Sequence, residues 1–126
     1  MELNQIYKCN VCGNTVELVF VGGGQLVCCS QPMHSLTPQT TEQGTEKHLP
    51  VVTNHNGKIT VKIGSIPHPM ETSHYITFVE LIEKSGKICR KYLNPTDLPQ
   101  VEFSILPDSQ IDSVRIYCNI HGLWQS

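Results

Sequence analysis

Residues 74–93, HYITFVELIEKSGKICRKYL, contain two runs of alternating apolar and polar side chains separated by Lys84-Ser85-Gly86-Lys87. Alternation with a period of two marks a strand with one face buried, and a short polar break containing glycine marks a hairpin turn. Ile76, Phe78 and Glu80 fall on one side of the first run, and Ile88 and Arg90 alternate in the second, so both read as half-buried strands. Working outward, the same texture recurs in VVTNHNGKITVKI (51–63), with a turn at Asn54–Gly57, in VEFSIL (101–106) and in SVRIY (113–117). About seven short strands in about 90 residues predict an immunoglobulin-like β-sandwich. No amphipathic helix is legible, so the fold class expected is all-β.

The first 36 residues read differently. Strand-like runs TVELVFV (15–21) and QLVC (25–28) flank Gly22, Gly23 and Gly24, a turn signal, in a piece too small to bury a core of its own. TPQTTEQGT (37–45) is polar and reads as a linker. The expected organisation is a small metal-binding domain over 1–36, followed by the sandwich over 37–126.

Charge excludes several roles. Nine Lys and Arg against 11 Asp and Glu give a net charge of −2, without the basic excess of a nucleic-acid binder. The start, MELNQIYKC, lacks a basic segment followed by an apolar run, and no window approaches the roughly 18 apolar residues of a membrane span. The expectation is a soluble, cytoplasmic protein with neither nucleic acid nor membrane as partner. Six cysteines in such a chain point to metal rather than disulfides.

Four of those cysteines crowd the first 29 residues as Cys9-Asn-Val-Cys12 and the adjacent pair Cys28-Cys29. Four thiolates suit a tetrahedral ion, zinc or iron, and spacing does not choose between them. The C-x2-C half resembles a zinc ribbon or a rubredoxin knuckle. Adjacent residues on an extended chain point to opposite sides, so Cys28 and Cys29 share an ion only if the backbone departs from a strand. Downstream, His48, His68, His74 and His121 lie at strand ends or beside prolines, with Cys118 three positions before His121. Side chains at strand ends converge on one rim of a sandwich, and four imidazoles with one thiol form a second candidate site. His55, in a turn of Asn54, Asn56 and Gly57, reads as solvated, as does His34. Cys89 reads as a small strand residue and Trp124 as packing at the domain edge.

YKCNVCGN (7–14), GGGQLVCCSQPM (22–33), EKHLPV (46–51), HPM-x3-HY (68–75) and CNIHG-x-W (118–124) together resemble, in order and across nearly the whole chain, the two-iron superoxide reductases called desulfoferrodoxins. The resemblance implies a desulforedoxin-like domain with one iron bound by Cys9, Cys12, Cys28 and Cys29. It implies a second iron bound equatorially by His48, His68, His74 and His121 with Cys118 axial. Glu46 and Lys47 fall on the family's functional Glu-Lys pair; on that resemblance the lysine would attract superoxide and the carboxylate would take the sixth position of the ferric ion, whereas on the residues alone they read as a solvated linker lysine and a loop carboxylate. A homodimer and a rubredoxin-type electron donor are further implications. Two positions depart from the family's commonest pattern: Pro67 stands where a small residue is usual, and Ser73 stands where lysine is common. The first bears on the loop carrying His68 and the second on how strongly anions are steered.

Two other readings stay open on the residues alone. One is a structural zinc ribbon joined to an immunoglobulin-like interaction module without redox activity. The other is a cysteine hydrolase using Cys118, His121 and Glu46, which the three-residue Cys–His spacing and the lack of an oxyanion-hole motif disfavour.

Overall fold

The computed structural model describes residues 1–126, all of them in strands, turns and loops, with no helix. The chain divides into two units, Met1–Thr37 and Pro38–Ser126.

In the first unit, β1 (Ile6–Lys8) lies between β2 (Thr15–Glu17) and β5 (His34–Leu36), both antiparallel to it, and β3 (Val27–Cys28) pairs with β4 (Gln31–Pro32). Only Ile6, Tyr7 and Cys9 are buried here, which fits a unit held by a metal more than by a core. The expected strand over residues 15–21 stops at Glu17, and Val19 and Phe20 stand 77% and 78% exposed. A three-stranded sheet of three-residue strands has no second layer to cover that apolar run, so burial cannot extend the strand.

The second unit is a seven-stranded sandwich. One sheet orders β10 (Gln100–Ser104), β7 (Lys58–Ile63) and β6 (Pro50–His55); the other orders β12 (Gly122–Gln125), β11 (Ile111–Cys118), β8 (Ile76–Glu83) and β9 (Ile88–Tyr92). The β6–β7 turn is made by Asn56 and Gly57 at φ 52° and 88°, the left-handed pair a two-residue hairpin requires. Ile59, Val61 and Ile63 of β7 meet Val79 and Leu81 of β8 and Val114 and Ile116 of β11 across the core. Each such fully buried aliphatic side chain contributes about 1.5–3 kcal/mol.

The alternation in β8 is interrupted. Tyr117 pairs with Phe78 but Cys118 pairs with Ile76, so Thr77 is an extra residue, a β-bulge. Ile76 therefore turns into the core beside Cys118, while Phe78 and Glu80 lie on the opposite face; the sequence pattern had placed all three together. On that outer face Glu80 is fully buried, in register with Arg115 and Arg90, and its carboxylate takes both guanidiniums at 3.0 and 2.7 Å. Burial pushes the Glu80 carboxyl upward and Arg115 opposes the shift.

The polar stretch read as a linker is in large part built into the sandwich. Gln39 pairs with Trp124, donating its N–H to the Leu123 carbonyl and accepting the Gln125 N–H, both at 2.9 Å.

Candidate metal centres

In the first unit the four cysteine sulfurs lie within 4.8 Å of one another. The Cys9–Cys12 knuckle is closed by Gly13 N–H donating to the Cys9 carbonyl and Cys9 N–H to the Asn14 carbonyl, both at 2.9 Å. Cys28 ends β3, and Cys29 and Ser30 follow at φ 52° and 60°, in the left-handed region. This departure from the strand lets adjacent thiols face one point, 3.9 Å apart, with Cys12 Sγ 3.6 Å from Cys28 Sγ. Amide donation from Cys12 brings the Cys9 thiol down to about 6. Hydrogen bonds with the thiols of Cys12 and then Cys28 push Cys29 up to about 12. One thiolate forms easily and the last resists, and a cation among them would favour ionisation of all four.

The second group assembles at one rim of the sandwich. His48 precedes β6, His68 and His74 lie in the connection from β7 to β8, and Cys118 and His121 flank the β11–β12 turn. The rings follow one another in a closed square, with centroid separations of 4.6 Å (His48–His68), 4.9 Å (His68–His74), 5.1 Å (His74–His121) and 4.9 Å (His121–His48). The donor atoms that face inward are Nε2 of His48, His68 and His74 and Nδ1 of His121; with the Cys118 sulfur they lie within 4.8 Å of one another. Cys118 Sγ is 3.6 Å from His68 Nε2 and accepts the His121 backbone N–H at 3.4 Å.

Electrostatics favour neutral imidazoles at His48 and His68 and a protonated thiol at Cys118. Burial, then the nearby His68 and His121, lowers His48 to about 4, and burial lowers His68 as well. Burial raises the Cys118 thiol, opposed by the N–H groups of His121 and Ile120. Neutral imidazole is the form that ligates a metal.

Glu46 reaches the same place. Its Oε2 is 3.4 Å from both His74 Nε2 and His121 Nδ1. Glu46 Oε2 and His74 Nε2 are buried without a hydrogen-bond partner, as groups whose natural partner is a cation would be. A donor set of four nitrogens and one sulfur, with a carboxylate beside them, suits a borderline transition ion such as iron. Glu46, His48, His121 and Trp124 line an open cleft of about 360 Å³, while Cys118 is fully buried. The Lys47 ammonium instead donates to the Gly44 carbonyl at 3.2 Å. Pro67 is exposed and does not keep His68 out of the group. His55 and His34 are exposed, and Cys89 packs against the core from β9, as expected.

Of three further residues at the site, the sequence assigns Trp124 another role, and Gln39 and Glu42 carry no readable signal of their own. Trp124 is not at a domain edge: it is 2% exposed and stacks on His48 at 4.4 Å and 8°, with its indole N–H donating to the His121 carbonyl at 3.2 Å. Gln39 donates to the same carbonyl at 2.8 Å. Glu42 accepts the backbone N–H of His48 at 2.8 Å and of Leu49 at 3.2 Å, pinning the base of the loop that carries Glu46 and Lys47.

The family model described as Desulfoferrodoxin matches residues 40–126, and the one described as Desulfoferrodoxin, N-terminal domain, matches residues 1–36. A desulfoferrodoxin homolog of Archaeoglobus fulgidus is 53% identical over 125 residues, covering 99% of this chain and 98% of the relative. A desulfoferrodoxin of Nitratidesulfovibrio vulgaris is 43% identical over 122 residues, covering 97% and 94%. Among solved structures, the superoxide reductase from Treponema pallidum matches with a TM-score of 0.80 and 29% identity, over 97% of this chain and 96% of that one. The family has a four-cysteine centre in its N-terminal domain and a centre of four histidines and one cysteine, and the two side-chain groups found here match them. With a model match in each unit and relatives aligned from end to end, this chain belongs to the desulfoferrodoxin family.

Proposed function

We propose that this chain is a superoxide reductase, with residues 1–36 holding one non-haem iron through Cys9, Cys12, Cys28 and Cys29, and residues 37–126 holding the catalytic iron through His48, His68, His74, His121 and Cys118. The observation that carries the reading is the closed square of four imidazoles with a buried thiol against it. The iron, when bound, supplies one electron and a coordination position open to a small anion. The balance is one superoxide, one electron and two protons giving one hydrogen peroxide.

The chain's own residues shape that chemistry. Neutral His48 and His68 are ready to ligate without losing a proton. Cys118 must release one, and its negative charge then sits beside the His68 ring, where the His121 N–H steadies it. Lys47, on the loop over the cleft, is a flexible cation whose ammonium draws an anion toward the opening. Glu46 closes the cleft side: its carboxylate occupies the space beside His74 and His121 and has to yield before an anion enters.

Each turnover consumes an external electron, and a rubredoxin-type donor is the partner that the resemblance supplies. A homodimer is supported by the exposed Val19 and Phe20, an apolar surface that a second copy would cover. A reducing cytoplasmic setting suits six free cysteines. The interaction-module alternative is not favoured, since a zinc ribbon with a plain sandwich has no need of converging imidazoles. A hydrolase is disfavoured by Cys118 itself, which is fully buried with its thiol raised, the reverse of an activated nucleophile.

Metal analysis with a visible spectrum of freshly purified protein tests the proposal. Two irons per chain and a ferric-thiolate absorption that superoxide elicits from the reduced protein are expected. A colourless protein loaded with zinc in both groups would contradict it.

A further inference from the structure

We infer that Asn119 is a positioning residue for His74: its side-chain amide locks the His74 segment onto the turn that carries Cys118 and His121. The inference rests on the reading of these residues as iron ligands given above. His74 arrives on a loop with little to hold it. Glu71, Thr72 and Ser73 are exposed, and the loop's internal bonding is one tight turn in which Glu71 and His74 exchange N–H and carbonyl at 2.9 and 3.0 Å.

The rings of His68 and His48 have direct supports, and the main chain of His121 is held by two side chains. His68 Nδ1 meets the Pro69 carbonyl at 2.7 Å, Trp124 stacks on His48, and the His121 carbonyl takes the donors of Trp124 and Gln39. The inward-facing His74 Nε2 makes no hydrogen bond and meets only Glu46 Oε2 at 3.4 Å, on the half-exposed loop over the cleft, so the placement of that ring rests chiefly on its backbone.

Asn119 grips that backbone on both sides of His74. Its Nδ2 donates to the Ser73 carbonyl at 3.0 Å, its Oδ1 accepts the Tyr75 N–H at 2.9 Å, and its own N–H donates to the Tyr75 carbonyl at 3.2 Å. The residue stands directly after Cys118, so the clamp joins the ring to the sulfur across a sequence separation of 44 to 46 residues. A primary amide offers a donor and an acceptor from one planar group, which is what a carbonyl and an N–H two residues apart demand. Aspartate would keep the acceptor but turn an oxygen toward the Ser73 carbonyl. A different side chain at position 73 would leave this clamp intact, because only the main chain of that residue is used.

The test is iron loss to an excess chelator from the reconstituted full chain, followed at the absorption of the sandwich centre after subtracting that of a Cys118→Ser sample. Asn119→Ala should lose this iron about tenfold faster than the unmodified chain, the scale on which groups that orient metal ligands act. Asn119→Asp should lose it at least as fast, and it carries the test should the alanine variant fail to fold. Ser73→Ala should behave as the unmodified chain. In a His74→Ala background, Asn119→Ala should add less than about twofold, because its effect passes through His74. Retention by Asn119→Ala and Asn119→Asp equal to the unmodified chain would overturn the inference, as would the same fold-change with and without His74. If the unmodified chain holds no iron in the sandwich, the parent reading fails, and that is seen before any variant is compared.

Discussion

The Glu46 carboxylate and the His121 imidazole meet at 3.4 Å, Oε2 to Nδ1, and the same oxygen stands 3.4 Å from His74 Nε2. A carboxylate in that position competes with any anion that approaches through the cleft lined by Glu46, His48 and His121. Two like charges a few ångströms apart at an effective dielectric of about 20 repel by a few kcal/mol, and part of that is relieved on deletion. Glu46→Ala should therefore bind azide to the ferric protein at least roughly tenfold more tightly, measured by optical titration, with superoxide reduction retained. Unchanged azide affinity would remove Glu46 from the anion's path.

The loop bearing Glu46 and Lys47 rests on Gly64, which is buried at φ +84°; a Cβ there would lie 2.6 Å from the Lys47 carbonyl oxygen and would also strike that of Ile66. Gly64→Ala combines a left-handed backbone with a main-chain clash, so a loss of about 1–3 kcal/mol is expected in denaturant unfolding. Because the clash displaces Lys47, the salt dependence of the bimolecular reaction with superoxide should flatten as in Lys47→Ala. Pulse radiolysis at two ionic strengths measures both variants.

The metal-free sandwich should be most stable between about pH 6.5 and 9. His48 titrates at about 4 in the fold against 6.5 when open to water, and His68 shifts the same way, so the unfolded chain takes up protons first on acidification. Stability is then lost as pH falls from 6.5 toward 4. Cys118, raised above 9.0 by burial, gives the opposite limb: the unfolded thiol ionises first, and stability declines as pH rises beyond that value. Urea midpoints of the metal-free protein across pH read out both limbs, and a flat profile from 6.5 to 4 would contradict the acid one.

Glu80 is a structural prediction independent of the metal. Its carboxylate is fully buried between Arg90 and Arg115. Removing one partner from a buried ion pair leaves uncompensated charge, so Glu80→Ala should cost about 3–5 kcal/mol in chemical denaturation, while iron content and rate constants of the surviving folded protein stay as they were. A change below about 1 kcal/mol, within the range of an exposed pair, would show that the two guanidiniums find other partners.

What could be read in advance follows from how local each signal is. The β6–β7 and β8–β9 turns were legible because Asn56-Gly57 and Lys84–Lys87 carry their own turn chemistry, whatever surrounds them. The Thr77 bulge was not, since it is a property of pairing with β11, and it moved Ile76 to the face opposite Phe78 and Glu80. The apolar run Val19, Phe20 and Val21 misled for a related reason: it has the composition of a strand but no layer to pack against, and all three side chains are exposed. The nine candidate metal ligands stood out because histidine and cysteine are few and chemically distinctive. Their supports did not: Gln39 and Glu42 lie in a polar stretch whose composition is the same for a free linker and a bonded strap, and the stacking of Trp124 on His48 joins residues far apart in the chain.

The most direct check of the central claim is the yield of hydrogen peroxide when a known amount of superoxide is generated in the presence of excess reduced, iron-loaded protein. Reduction at the His48, His68, His74, His121 and Cys118 centre predicts one peroxide formed and one ferrous centre oxidised for each superoxide consumed. Half a peroxide per superoxide with the iron still ferrous, which is dismutation, would contradict the account, as would the same full yield from the Cys118→Ser protein.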